Sequence, residues 1–327
     1  VKAFQAEDEI AGVTSSIGAA FAGDLAITTT SGPGLALKGE AIGLALMTEL
    51  PLVIVNVQRG GPSTGLPTKT EQSDLNLAMF GASGDASRPV IAPADVLECY
   101  ELTRRSFEVA ETYQTPVIVL VDFFLSNRFE DIPENAFSQF KEGMFKPVIA
   151  TDPEPPYHRY AVTESGISPT AYPGMNGFQH TITGLEHDTS GFPNYEGDNH
   201  QEQSDKRHRK INNLQFAWPK PEVTGPEDQL ELGIVAWGST IGAAKEALTD
   251  PRLTEIRAGG FFPRLLQPLQ TRELKAFSSR CKHLMVIEVN NSGQLASVIE
   301  QVTLRRVHRL TDVPAEPMPV ERIVSHI

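Results

Sequence analysis

Cysteine is almost missing: Cys99 and Cys281 are the two in 327 residues. Two thiols cannot ligate an iron–sulfur cluster, which takes about four, and they build no disulfide framework. The expectation is two reduced cysteines in a cytoplasmic protein. No stretch approaches the ~20 apolar residues of a membrane span. Basic charge is also short, with 28 Lys and Arg against 41 Asp and Glu and a net charge of −13. Such a chain repels phosphate backbones, which argues against nucleic acid as a partner. G-x-S-x-G, Walker A and H-E-x-x-H motifs are absent. His187, Asp188, His200 and His208 are scattered through a polar region without the close spacing of zinc ligands, so no metal site is expected. The opening also lacks signal-peptide order, because Lys2 is followed at once by Gln5, Glu7, Asp8 and Glu9. Val1 stands first, and VKAFQAEDEIAG reads as a strand end running into a helix. A further segment is therefore expected upstream, cleaved, missing or carried by another chain.

What is present reads as a soluble α/β protein, 40% hydrophobic and 21% charged, long enough for two domains. EDEIAGVTSSIGAAFA (7–22) places acids at a helix start and Gly23 at its stop. DLAITTT (24–30) predicts a short buried strand, SGPG (31–34) a tight turn, and 35–50 one helix. PLVIVNV (51–57) and TPVIVLVD (115–122) are near-continuous apolar strands of a parallel sheet covered on both faces, and 94–113 is an amphipathic helix. Strand, turn, helix and strand at this spacing is a doubly wound pattern, whose ligands sit at the carboxyl ends of the strands. The loops at 28–34 and 58–75 are thus the first places to look for chemistry. Residues 146–225 predict an ordered excursion ending in a charged helix. A second α/β unit follows, with strands at 232–240 and 283–290, helices at 241–250 and 292–306, and an irregular to extended segment at 259–269.

Spacing alone leaves the site open. Glu9 lies at a helix start, where Glu7 and Asp8 are equally eligible and a dipole-favoured terminal acid is the plain alternative. Arg59 follows an apolar strand and can offer a bidentate fork to a carboxylate, or pair with a local acid. TTTSGPG (28–34) looks like an anion-cradling turn before a helix. It is not a G-x-G-x-x-G fingerprint, since the third glycine position falls on Leu37, which weakens a dinucleotide-binding dehydrogenase reading.

Five strings carry a resemblance: AEDEIAGVTSSIGAAFAG, TTTSGPGLALKGEAIGLALMTELPLVIVNVQRGGPSTGLPTKTEQSDL, TPVIVLVDFFLS, GLEHD and VIEVNNSGQL. Together they resemble the alpha subunit of 2-oxoacid:ferredoxin oxidoreductases, most closely the 2-oxoglutarate branch. The resemblance covers nearly the whole chain, and QRGGPSTGLPTKTEQSDL is its most specific part. It implies a pyrimidine-type thiamine diphosphate-binding domain at residues 1–150, an irregular connecting segment at 151–225, and a transketolase C-terminal-like α/β domain at 226–327. It implies oxidative decarboxylation of a 2-oxoacid to an acyl-CoA with reduction of ferredoxin. A beta subunit then supplies the diphosphate-binding domain, Mg²⁺ and the iron–sulfur cluster. Two absences agree with this division: there is no GDG followed by NN (EGDNH at 196–200 lacks the second glycine), and there are too few cysteines for a cluster. The chain starts after the family's gamma-type segment and substrate loop, which a separate chain or fragment would supply.

The resemblance also implies roles. Glu9 matches the carboxylate that hydrogen-bonds N1′ of the cofactor pyrimidine and drives its imino tautomer. Thr30, Ser31 and Gly32 match positions against the pyrimidine, and Arg59 matches the position that binds the substrate carboxylate. Lys69 is a candidate for the second carboxylate of 2-oxoglutarate, with a plain exposed lysine as the alternative. Pyruvate or branched-chain 2-oxoacids are the alternative substrates, and a non-catalytic scaffold subunit is the alternative role.

Overall fold

The computed structural model describes residues 2–139, 143–152 and 156–327. Val1 of the opening and Pro153, Glu154 and Pro155 of the expected excursion lie outside the described residues. In chain order the N-terminal elements are α1 (Glu9–Phe21), β1 (Ile27–Thr30), α2 (Gly32–Leu37), α3 (Gly39–Met47), β2 (Leu52–Gln58), α4 (Leu75–Phe80), β3 (Val90–Ile91), α5 (Val96–Tyr113), β4 (Pro116–Asp122) and α6 (Phe123–Ser126). After these come α7 (Gly197–Ala217), β5 (Glu222–Thr224), β6 (Leu230–Ala236), α8 (Thr240–Leu248), β7 (Ala258–Phe262), β8 (Leu265–Gln267), α9 (Thr271–Ser279), β9 (Cys281–Glu288), α10 (Gln294–Thr303), β10 (His308–Thr311) and α11 (Val320–Val324).

Two five-stranded sheets organise the chain, ordered β1-β2-β4-β3-β8 and β10-β9-β6-β7-β5. The first four strands of the N-terminal sheet are parallel, and β8 pairs antiparallel with β3. A strand from the C-terminal half thus closes the edge of the N-terminal sheet. Every residue of β4 is buried, because helices cover both faces of a central parallel strand.

Several local expectations change. β1 is not buried: it is an edge strand with neighbours on one side, and Ile27 is 41% exposed. SGPG does not form a tight turn, since α2 begins at Gly32 with Pro33 in its first turn, where a missing N–H costs nothing. The single helix expected at 35–50 is two, α2 and α3, meeting at Lys38. Glycines at 32, 34, 39 and 43 weaken helix propensity there, and the Lys38 ammonium is drawn away to the Glu9 carbonyl oxygen, 2.9 Å distant. The opening forms no strand, as residues 2–6 have no regular structure. The segment at 259–269 contains β7 and β8.

The charged helix expected late in the excursion is α7. Its buried residues, Gln203, Lys206, Lys210, Ile211 and Leu214, fall on one stripe at helical spacing. Lys206 and Lys210 reach the two carboxylate oxygens of Glu49 at 2.8 and 2.6 Å, and Arg159 donates to the Glu49 carbonyl at 2.7 Å. Burial alone raises the Glu49 carboxyl. Lys210, Lys206 and Arg159 outweigh it and hold the group well below the usual carboxylate range.

Candidate active site

The site lies at the carboxyl ends of β1 and β2. Asp8 caps α1, its carboxylate accepting from the Ala11 N–H at 2.8 Å. That cap fixes Glu9 as the first helical residue, exposed. None of the hydrogen bonds among the described residues uses the Glu9 carboxylate. Glu9 packs over Gly34: a Cβ there would fall 2.9 Å from Glu9 Cγ and would overlap Thr30 Oγ1. Glycine at 34 therefore serves the close approach of α1, β1 and α2. Lys38 seals the underside, 1% exposed.

Gly32 has a similar function toward the loop after β2. A Cβ there would lie 2.8 Å from both carboxylate oxygens of Asp74. Asn56 donates to Asp74 at 2.9 Å, and the Asp74 N–H donates to Gln58 Oε1 at 3.2 Å. Burial pushes the Asp74 carboxyl up, against the Asn56 hydrogen bond and the charge of Arg59. Arg59 is half-buried, and its Nε has no partner among the described residues. The Gly60 N–H donates to the Lys69 carbonyl at 2.9 Å, so the loop doubles back beside Arg59, with the Lys69 side chain exposed. Glu9, Thr30, Gly34, Gly32, Asp74 and Arg59 thus form one continuous strip. Ser31 precedes α2 without capping it through its side chain, and Gly32 and Gly34 make room for the acidic side chains of Asp74 and Glu9.

The loop is also fixed to the second sheet. Gln72 donates from Nε2 to the Trp237 carbonyl at 2.9 Å and accepts from the Val289 N–H at 3.1 Å. Its own N–H meets the Val289 carbonyl at 2.6 Å. Glu288 accepts from Asn290, Trp237 and the Leu295 and Ala296 N–H groups at the start of α10. Lys38, Asp74 and Gln72 lie inside the strings that carry the resemblance but are not singled out by them, because their partners come from other segments of the chain. Among the described residues, no His, Cys, Asp and Glu side chains gather in threes that could hold a metal ion. In GLEHD, the His187 ring packs on Tyr160 with centroids 4.0 Å apart, and Glu186 pairs with Arg207 at 2.7 Å. No helix among the described residues is long and apolar enough to cross a membrane.

Two mostly parallel sheets with helices against them, and a candidate site at the strand ends, make a doubly wound α/β fold of the transketolase kind. A split-gene transketolase shares the architecture, with a TM-score of 0.53 at 14% identity over 95% of this chain and 77% of its own. Residues 1–206 match the family model described as pyruvate flavodoxin/ferredoxin oxidoreductase, thiamine diP-binding, and the chain belongs to that family. The chain is 40% identical to the 2-oxoglutarate oxidoreductase subunit KorA of Mycobacterium tuberculosis, covering 96% of this chain and 47% of that protein. It is 33% identical to the 2-oxoglutarate synthase subunit KorA of Methanothermobacter thermautotrophicus, covering 99% and 85%. The 2-oxoglutarate:ferredoxin oxidoreductase of Magnetococcus marinus, solved with 2-oxoglutarate, coenzyme A and succinyl-CoA bound, superposes with a TM-score of 0.92 at 42% identity, over 98% of this chain and 56% of that one. The chain spans about half the length of several curated relatives it matches, 47% and 51% in two of them.

Proposed function

We propose that this chain binds the pyrimidine half of thiamine diphosphate as the alpha subunit, or part of it, in a 2-oxoacid:ferredoxin oxidoreductase acting on 2-oxoglutarate. The observation that carries the reading is the Glu9 carboxylate, exposed and free of hydrogen bonds among the described residues at a strand-end site, over a glycine that accepts no Cβ. An acceptor with open lone pairs fits a protonated ring nitrogen. Thiamine diphosphate supplies, when bound, the electron sink that lets a 2-oxoacid lose CO₂. In this reading Glu9 holds a proton at N1′ of the pyrimidine, and Thr30, Ser31 and Gly32 line the edge of the ring. Arg59 pairs its guanidinium with the substrate carboxylate, and Lys69 takes the second carboxylate.

The same proposal assigns residues 1–150 to the pyrimidine domain, 151–225 to the connecting segment and 226–327 to a transketolase C-terminal-like domain. A beta subunit holds the diphosphate, Mg²⁺ and the iron–sulfur cluster, a separate gamma-type chain or fragment is a further partner, and ferredoxin and coenzyme A collect the electrons and the acyl group. An apolar edge supports a partner there: Ile10 is 53% and Leu25 65% exposed, beside the open strand β1. The cytoplasm is the proposed location, supported by two free thiols.

The test is Glu9→Gln in the assembled oxidoreductase. A loss of about 10²–10⁴-fold in kcat for 2-oxoglutarate decarboxylation is expected. Turnover within about threefold of wild type removes the catalytic reading and leaves a scaffold.

A further inference from the structure

No hydrogen bond or ion pair among the described residues engages the Arg59 guanidinium, whose Nε is buried without a partner. A cation in that condition is placed by its main chain. The outgoing limb of the loop, at Arg59 and Gly60, lies against the returning limb: the Gly60 N–H donates to the Lys69 carbonyl at 2.9 Å, and the Leu66 N–H to the Gly60 carbonyl at 2.8 Å. The returning limb is held from the C-terminal half of the molecule. Gln72 is 0% exposed. Its amide donates to the Trp237 carbonyl at 2.9 Å and accepts from the Val289 N–H at 3.1 Å. Its main chain donates to the Val289 carbonyl at 2.6 Å and accepts from Asn290 Nδ2 at 3.1 Å. Gln294 adds two bonds beside it, donating to the Ser73 carbonyl at 2.7 Å and accepting from the Asn76 N–H at 2.8 Å. A Cβ on Gly238, where φ is +59°, would lie 2.7 Å from Gln72 Nε2, so the turn after β6 is shaped to admit this amide. Two residues beyond Gln72, Asp74 returns to Gln58 and Asn56 at the end of β2. One short limb therefore ties the strand end that carries Arg59 to the strand ends of the other sheet.

We propose that Gln72 is a positioning residue of the site, through which the C-terminal sheet sets where Arg59 stands and so how tightly the substrate carboxylate is held. The proposal rests on the reading of Arg59 given above. Every polar group of Gln72 is buried and met by residues that follow β6 or β9, so removing its amide leaves the Val289 N–H and the Trp237 carbonyl without those bonds and frees the limb from the second sheet. A small displacement of a group that binds substrate is costly even when it starts far from the chemistry. Arg59, with no side-chain bond to restrain it, follows its main chain.

The experiment is a double-mutant cycle on the KM for 2-oxoglutarate in the assembled oxidoreductase. Gln72→Met keeps the length of the side chain and removes both amide bonds; it should raise that KM about tenfold, with a smaller change in kcat. In the Arg59→Ala background the same substitution should add less than about twofold, because the group it positions is gone. The KM for coenzyme A should stay within about twofold of wild type in Gln72→Met. A lowered unfolding temperature with an unchanged KM for 2-oxoglutarate overturns the proposal and leaves a purely structural tie. A full tenfold effect in the Arg59→Ala background, or an equal rise in both KM values, overturns it as well. If Gln72→Met does not assemble, Gln294→Ala replaces it in the cycle: it frees the Ser73 carbonyl and the Asn76 N–H of the same limb, and should raise the KM for 2-oxoglutarate about threefold, an unchanged value again overturning the proposal. Arg59→Ala alone keeps the two ideas apart: if it leaves the KM for 2-oxoglutarate unchanged, the reading of Arg59 itself has failed.

Discussion

Two glutamates of the N-terminal half, Glu9 and Glu49, have opposite surroundings. Glu49 is 0% exposed, and its two carboxylate oxygens are taken by Lys206 and Lys210. Glu9 is exposed, and its carboxylate has no hydrogen bond among the described residues, although Lys38 lies beneath its main chain. A carboxylate saturated by fixed cations in a sealed site can only hold segments together, here α7 against the end of α3. One with open acceptor capacity at a strand end can still bind something. The two acids therefore differ in unfilled acceptor capacity, since both have lysines nearby.

Breaking the sealed member should give the largest stability effect. Glu49→Gln leaves two buried ammonium groups without their counter-charge, at an expected cost of about 3–5 kcal/mol in thermal or denaturant unfolding. A loss below about 1 kcal/mol would mean that the lysines relax to solvent and the cluster is not tight. The pH dependence follows from the same group. The folded-state pKa of Glu49 lies below its ordinary 4.5, so its contribution is complete above about that pH and is lost as the solution is acidified below it. Acid unfolding should be less steep in Glu49→Gln than in wild type between roughly pH 4.5 and 2.

Gly34→Ala tests the open member. The added carbon overlaps Thr30 Oγ1 and meets Glu9 Cγ at 2.9 Å, so Glu9 must shift, with about tenfold weaker cofactor binding by calorimetry expected from ~1–3 kcal/mol of overpacking. Gly43→Ala, where nothing lies within 4 Å, is the control and should bind normally. The smallest effect is expected at Lys69. Its exposed ammonium should change the KM for 2-oxoglutarate only a few-fold when replaced by alanine, whereas Arg59→Ala should raise it by at least about thirtyfold, in line with ~2–5 kcal/mol for a desolvated charge pair. Equal effects would place the two cations in the same surroundings.

Much of this was legible in local chemistry. Acids before a small-residue helix marked α1, and Gly23, with φ +94°, stopped it, while Asp8 as its cap emerged from the structure. Continuous apolar runs marked β2 as a strand of a covered parallel sheet and β4 as a further buried strand. Motif resemblance singled out Glu9 and Arg59, and the fold brings them onto one strip with Asp74. Other features had no local signature. The exposure of β1 depends on its being an edge, and edge position is a property of sheet order. The bond from Lys38, where α2 and α3 meet, to a carbonyl 29 residues back at Glu9 is likewise set by the fold.

The sequence on its own determined the periodicities, the caps and the residue types at the strand ends, since these are set by interactions within a few residues. Only the tertiary structure decided which acids are sealed and which stay open, because burial and partner number depend on what distant segments bring. Gln72 meeting Trp237 and Glu49 meeting Lys206 are contacts between residues more than 150 positions apart, and no local pattern encodes them.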